Sequence, residues 1–236
     1  TLSQNGAIAI AANTSGVVAN LIYDTTRGGK LSTIVSGQMT ITTGSTSDIN
    51  VTMKSVGANI NPGIIGSTSV ALPGNVTVDN TYGCSVTGCT PASGFISTDN
   101  IATYATTSAG LTINSVIYTT KNITLKGAAV TKQGVVYSAV IKSTGGDVSM
   151  TGSTTNNYGI YNSAASLITA NNITLNGSAS AAAGGWIVQI GALTINSTAV
   201  GGSILVTATG ITTDTSDGLY QSGAITLASG SNMTFS

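Results

Sequence analysis

Apolar and polar residues alternate in short runs along much of this chain. In Asn122-Ile-Thr-Leu-Lys-Gly127, Asp147-Val-Ser-Met-Thr-Gly152 and Asn172-Ile-Thr-Leu-Asn-Gly177 every second residue is apolar, the period of a strand buried on one face. The three runs are evenly spaced, opening at Asn122, Asp147 and Asn172. A looser copy, Ser203-Ile-Leu-Val-Thr-Ala-Thr-Gly210, follows after a longer interval, and Asn232-Met-Thr-Phe-Ser236 begins another. A second glycine opens an apolar step after each run. The pairs are Gly127 and Gly134, Gly152 and Gly159, Gly177 and Gly185, and Gly210 and Gly218, with gaps of 7, 7, 8 and 8 residues. A third strand completes each unit, as in Gly223-Ala-Ile-Thr-Leu227, and LTINS occurs at both Leu111–Ser115 and Leu193–Ser197.

A five-residue strand with two apolar side chains cannot bury itself. Stacked on its counterpart one repeat later, it gains a hydrogen-bonded ladder and a shared interior. The spacing therefore predicts an all-β fold: a parallel β-helix, or β-solenoid, with coils of about 25 residues and glycine, asparagine and serine at the corners, where glycine takes φ > 0 without steric cost. Ile123, Val148 and Ile173 should form one inward column, and Leu125, Met150 and Leu175 a second. Gly127, Gly152 and Gly177 should share a corner. Gln38–Gly44, Ile49–Met53 and Asn75–Val78 read as strands of the same kind. The expected organisation is one segment over 1–236, irregular over 1–110 and regular over 111–236. Roughly nine coils at about 4.8 Å each make a rod about 40–45 Å long. An antiparallel sandwich also has many short strands, but its strands would not return in register at one fixed interval.

Composition narrows the picture. Charged residues are 6% of the chain, against roughly 25% in ordinary soluble domains. Seven Lys and Arg balance seven acids, so no net field attracts nucleic acid or an anionic membrane. Threonine, valine, isoleucine, glycine, serine and asparagine dominate, which disfavours helix. The run Ala179–Ala183 ends at Gly184-Gly185, too short for an independent helix. No stretch reaches the roughly 18–20 apolar residues of a membrane span, so membrane insertion is not expected. Thr1 reads as the start of a processed or excised segment.

Units such as NITLNGSA, GIYNSA and SGAITLASGSNMT, clearest from Leu111 to Ser236, resemble the passenger repeats of filamentous-haemagglutinin-like large exoproteins, the two-partner-secretion adhesins of Gram-negative bacteria. The resemblance implies a right-handed β-helix, export to the outer cell surface, and a role in adhesion or surface architecture, with glycans or proteins of a host or neighbouring cell as partners. Neither the family's N-terminal secretion domain nor a C-terminal translocator barrel has a match here. Some adhesins of this family are glycosylated at Asn-x-Ser/Thr. That makes Asn122, Asn172, Asn176 and Asn196 candidate acceptors among eight such triplets, although the strand motif itself generates most of them.

Catalytic chemistry has few residues to draw on. All seven acids are aspartates, and there is no glutamate or histidine, so neither a Ser-His triad nor a His-ligated metal can be assembled. Carbohydrate-cleaving β-helices need clustered Asp with Arg or Lys, and the single arginine is Arg27. Asp214 and Asp217 in TTDTSDGLY read as a corner turn, with weak cation binding and catalysis as competing readings. No cofactor and no metal site is expected. Cys84 and Cys89 lie in a Gly/Pro/Thr-rich stretch, Thr81 to Gly94, and read as a local disulfide, which requires an oxidising, extracytoplasmic setting. Tyr161, Tyr220, Ile187 and Val136 each fall two residues after the landmark glycine, beside Trp186. Ladder packing is the plain reading of these aromatics, and stacking of Tyr161, Trp186 and Tyr220 on sugar faces is the functional one.

Three functions compete. The first is a non-enzymatic structural or adhesive surface rod. The second is a subunit of an extracellular filament that stacks head to tail. The third, ice binding, is disfavoured because Thr40–Thr42 and Thr213–Thr215 form no threonine column on the repeat. The chain opens on Ala7-Ile-Ala-Ile-Ala11 and stops inside a strand motif, so both ends are expected to be covered by protein, either further coils of a longer parent or identical subunits.

Overall fold

In a computed structural model the fold is all-β: the described residues contain no helix, and every strand pairing between them is parallel. The structure describes residues 2–4, 6–10, 18–25, 34–37, 39–41, 48–55, 58–67, 69–81, 109–155, 157–162, 164–179, 188–190, 193–197, 202–209, 218–221, 225–227 and 232–236. Uniformly parallel pairing sets aside the antiparallel sandwich.

Two sheets have eight strands each. The first runs in chain order through Leu2–Ser3, Ile34–Val35, Ile60–Asn61, Leu111–Ile113, Val135–Tyr137, Ile160–Asn162, Val188–Ile190 and Leu219–Gln221. The third runs, also in order, through Val18–Asp24, Asp48–Lys54, Val76–Asp79, Ile123–Ala129, Val148–Thr154, Ile173–Ala179, Ser203–Thr209 and Asn232–Phe235. Between them lies the second sheet: Ile117–Thr119, Val140–Ser143, Ser166–Ala170, Leu193–Ser197 and Ile225–Leu227. Single parallel bridges from Met39 to Ile65 and from Ile65 to Ile117 link it to the two-stranded pair Ile8–Ile10 and Met39–Ile41.

Register is set by burial, because a slip of one residue would turn every apolar side chain outward. Ile123 pairs with Val148 and Val148 with Ile173, and Leu125, Met150 and Leu175 lie over one another in the same way, all six at 1% exposure or less. One step length joins the strands from Ile123 to Ile173, and the same step separates Val51 from Val76. Elsewhere the step is longer: Val18 pairs with Asp48, Val76 with Ile123, and Ile173 with Ile204. Residues 82–108 fall within the longest interval and are outside the described set. Asn80, fully buried, donates to the Ala128 carbonyl at 2.9 Å and accepts from the Ala128 N–H at 2.7 Å, tying the end of the strand Val76–Asp79 to the strand Ile123–Ala129.

Two expectations need correction. The glycines at 127, 152 and 177 do stack, but inside strands that run two residues further, not at a corner. Their role is close approach: a Cβ at Gly152 would sit 1.9 Å from the Gly159 carbonyl oxygen, and one at Gly127 2.1 Å from that of Gly134. Among the described residues only Gly66 has positive φ, at 77°. Second, Met39–Ile41 pairs with Ile8–Ile10, a different face from Ile49–Met53 and Val76–Val78. The two LTINS copies occupy different sheets, Leu111 in the first and Leu193 in the second.

Candidate binding surfaces

Side chains that do not enter the core of the third sheet form three outward columns. The first is a ladder of amides. Asn50 donates through Nδ2 to Asn20 Oδ1 at 3.1 Å, and Asn75 donates both its backbone N–H, at 2.9 Å, and Nδ2, at 3.1 Å, to Asn50 Oδ1. The Asn122 N–H reaches Asn75 Oδ1 at 3.2 Å, and the Asp147 N–H reaches Asn122 Oδ1 at 2.9 Å. Asn172 donates N–H and Nδ2 to Asp147 Oδ1, and the N–H and Oγ of Ser203 both reach Asn172 Oδ1. From Asn50 onward each rung gives an acceptor to the backbone donor that enters the next strand, so the polar edge is tied from level to level. The sequence signal was the Asn that opens each Asn-[Ile/Val]-Thr motif, which the sequence reading took only as a source of glycosylation triplets.

The second column is Thr52, Thr77, Thr124, Ser149 and Thr174, aligned by register and half-buried. The row is of single hydroxyl residues one strand apart, not of Thr-x-Thr pairs. Ile22 precedes the column in register and Leu205 follows it, both exposed. In the third column Asp24, Lys54, Asp79 and Lys126 alternate in sign, and Thr151, Asn176 and Thr207 continue it. Lys126 Nζ lies 3.8 Å from the buried Asp79 carboxylate, which also accepts from the N–H and hydroxyl of Thr81. Lys121 pairs with Asp48 at the opposite margin of the sheet.

Tyr161 faces outward from the first sheet, half-buried, its ring stacked on Tyr158 with centroids 5.1 Å apart and planes 19° from parallel. It pairs with Val136 on one side and with Gln189 on the other, and Gln189 pairs with Tyr220. Gln189 therefore occupies the place expected for Ile187, and the aromatic column is interrupted. The landmark glycine at 185 misaligned this copy by two residues. On the second sheet Lys142 Nζ lies 4.7 Å from the centre of the Tyr118 ring, a cation–π contact across adjacent strands that sequence reading did not find.

Asn122 and Asn172 belong to the amide ladder. Asn176 is half-buried in the third column, and Asn196 pairs with Thr169 in the second sheet. Cys84, Cys89, Trp186, Asp214 and Asp217 lie outside the described residues. Among the described residues no three metal-binding side chains come together. Compared with known proteins, the chain matches no family model, no curated protein and no solved structure.

Proposed function

We propose that this chain is a rod-like, right-handed β-solenoid that serves as a non-enzymatic structural or adhesive element on an extracellular surface, that of a Gram-negative bacterium by its resemblance to large exoproteins. Its coils are of about 25 residues, the interval at which equivalent strands recur in the regular part of the chain. The observation that carries the reading is the order of the sheets. Strands of the first and third sheets follow chain order with no strand displaced, so the chain visits the faces in turn and advances one level each time. Right-handedness is supported by the steric preference of parallel crossovers.

Adhesion is favoured over catalysis by what lies on the faces. The third sheet offers a rigid, evenly spaced row of hydroxyls bordered by amides whose hydrogen bonds are mutual. Such a surface is ordered before it meets a partner, and little conformational freedom is lost on contact. Glycans or proteins of another cell are the partners this suits. Ice fits it less well, because Asp24, Lys54, Asp79 and Lys126 run alongside the hydroxyl row and hold hydration of their own.

Small-angle scattering combined with a polysaccharide panel tests the reading. The purified chain should scatter as a rod and bind without releasing product. A globular scattering profile would overturn the solenoid, and turnover abolished by Asp214→Ala or Asp217→Ala would overturn the non-enzymatic role.

A further inference from the structure

Buried hydroxyls at the strand ends are committed to the backbone. Thr119 Oγ1 donates to the Leu72 carbonyl at 2.8 Å, Ser143 Oγ to that of Lys121 at 2.6 Å, and Thr154 Oγ1 to that of Lys132 at 2.8 Å. The outward row of the third sheet differs. Thr52, Thr77, Thr124, Ser149 and Thr174 are half-buried, stand one level apart, and have no side-chain hydrogen-bond partner among the described residues. Beside this row the amide ladder is interrupted. Side-chain to side-chain bonds join Asn20 to Asn50 and Asn50 to Asn75, and they resume between Asp147 and Asn172. Asn122, between the two runs, is held by its backbone N–H and through Oδ1, while Asp147 accepts at Oδ1. Among the described residues nothing bonds Asn122 Nδ2 or Asp147 Oδ2. This donor and this acceptor stand on adjacent levels, on two exposed residues, in strand register with Thr124 and Ser149.

We infer, building on the adhesive role proposed above, that this face binds an uncharged polysaccharide laid along the stack, with one sugar held between Asn122 and Asp147. A carboxylate oxygen accepts from sugar hydroxyls and an amide N–H donates to them. The row gives each further sugar a hydroxyl about 4.8 Å from the last, and the threonine methyls meet its C–H face. Charge on the face selects against ionic polymers. Asp24 is opposite Lys54 in register, Asp79 lies 3.8 Å from Lys126, and Asp48 pairs with Lys121. Asp147 is left, among the described residues of this face, as the charge without an opposite partner, and an acidic glycan would set its own carboxylates against it. A protein partner would find no anchor: between Ile22 and Leu205 the row holds no exposed large hydrophobic side chain, and protein interfaces centre on buried aromatic or apolar ones.

The test is affinity electrophoresis through gels holding a neutral glucan, a neutral mannan or a polyuronate, with the urea midpoint of each variant as the check on folding. A neutral polymer should retard the unaltered chain and the polyuronate should not. Asp147→Asn puts at this level the residue found at the levels of Asn75, Asn122 and Asn172. It should fold as well and yet bind at least about tenfold more weakly. Thr124→Val with Ser149→Ala should weaken binding likewise. Preference for the polyuronate, or folded variants that bind unchanged, overturns the inference. Retardation lost in Tyr161→Ala and kept in Asp147→Asn moves the ligand to the first sheet and overturns it too. Absence of retardation by both neutral polymers also overturns it. If the chain then still adheres to cells whose glycans have been oxidised by periodate, the partner is a protein and the adhesive role stands. A chain that adheres to no cell overturns both.

Discussion

Replacing Gly152 by alanine tests the packing at its tightest place. The added methyl would lie 1.9 Å from the Gly159 carbonyl oxygen, 2.5 Å from its carbon and 2.9 Å from Ile160 Cγ1. Two of these three atoms are backbone, so no rotamer change relieves the overlap, and one strand must retreat from the other by more than an ångström. Gly152 is also paired to Gly127 and Gly177, and retreat at one level disturbs the ladders above and below. Overpacking a core typically costs about 1–3 kcal/mol, and the absence of any side-chain escape puts this site at the upper end. The alanine gains back about 0.4–1 kcal/mol from the unfolded chain. The net expectation is a loss of about 2–3 kcal/mol, or a fall of about 1 M in the urea midpoint for a slope of about 2–3 kcal/mol/M. Gly6→Ala is the matched control, since nothing lies within 4 Å of its added carbon, and it should be neutral or slightly stabilising. Circular dichroism gives the midpoints, and hydrogen exchange shows whether the loss centres on Val148–Thr154. If the two variants fall within about 0.5 kcal/mol of one another, the close approach is not what selects glycine at 152.

The amide ladder makes a second case: Asn75→Ala removes the acceptor of the Asn122 N–H and the donor to Asn50 and should cost about 1–2 kcal/mol in a urea melt. Asn75→Asp keeps the acceptor, as Asp147 does at its own level, and should cost less. Burial pushes the Tyr137 phenol well above its ordinary value. The unfolded phenol therefore loses its proton first, and the contribution of Tyr137, complete below about pH 10, should fall above it by about 1.4 kcal/mol per pH unit. Tyr137→Phe should lose less stability between about pH 10 and 11, and an equal loss in both chains would contradict the assignment. Peptide mapping without reduction should find Cys84 joined to Cys89, whereas free thiols would count against an extracytoplasmic setting.

The sequence was most informative where the repeat is strict. From Ile123 to Ile173 the step does not vary, so one alignment places the buried columns and stacked glycines together. Beyond Ile173 the step lengthens to reach Ile204, and a spacing argument has nothing to anchor it there. The glycine at 185 reads as the landmark, which puts Ile187 in a place that backbone pairing gives to Gln189. The two LTINS copies differ in position for a related reason. Five residues with one alternation satisfy any face of a three-sided stack, so identity of sequence does not imply identity of position.

Glycine was misread for a different cause. Composition signals that a side chain is unwanted but not why, and both φ freedom and close approach leave the same letter. Only the neighbour across the interior, the Gly159 carbonyl against Gly152, decides between them. The surface columns lie between these cases. Asn or Asp at the head of each motif and Thr or Ser two places on stand in every strict copy. Their meaning depends on the distance between levels, which a one-dimensional pattern does not carry. Stacked about 4.8 Å apart, the asparagines become an interlocked ladder and the threonines an ordered row. The same spacing that makes the motif repeat also makes its polar side chains a surface.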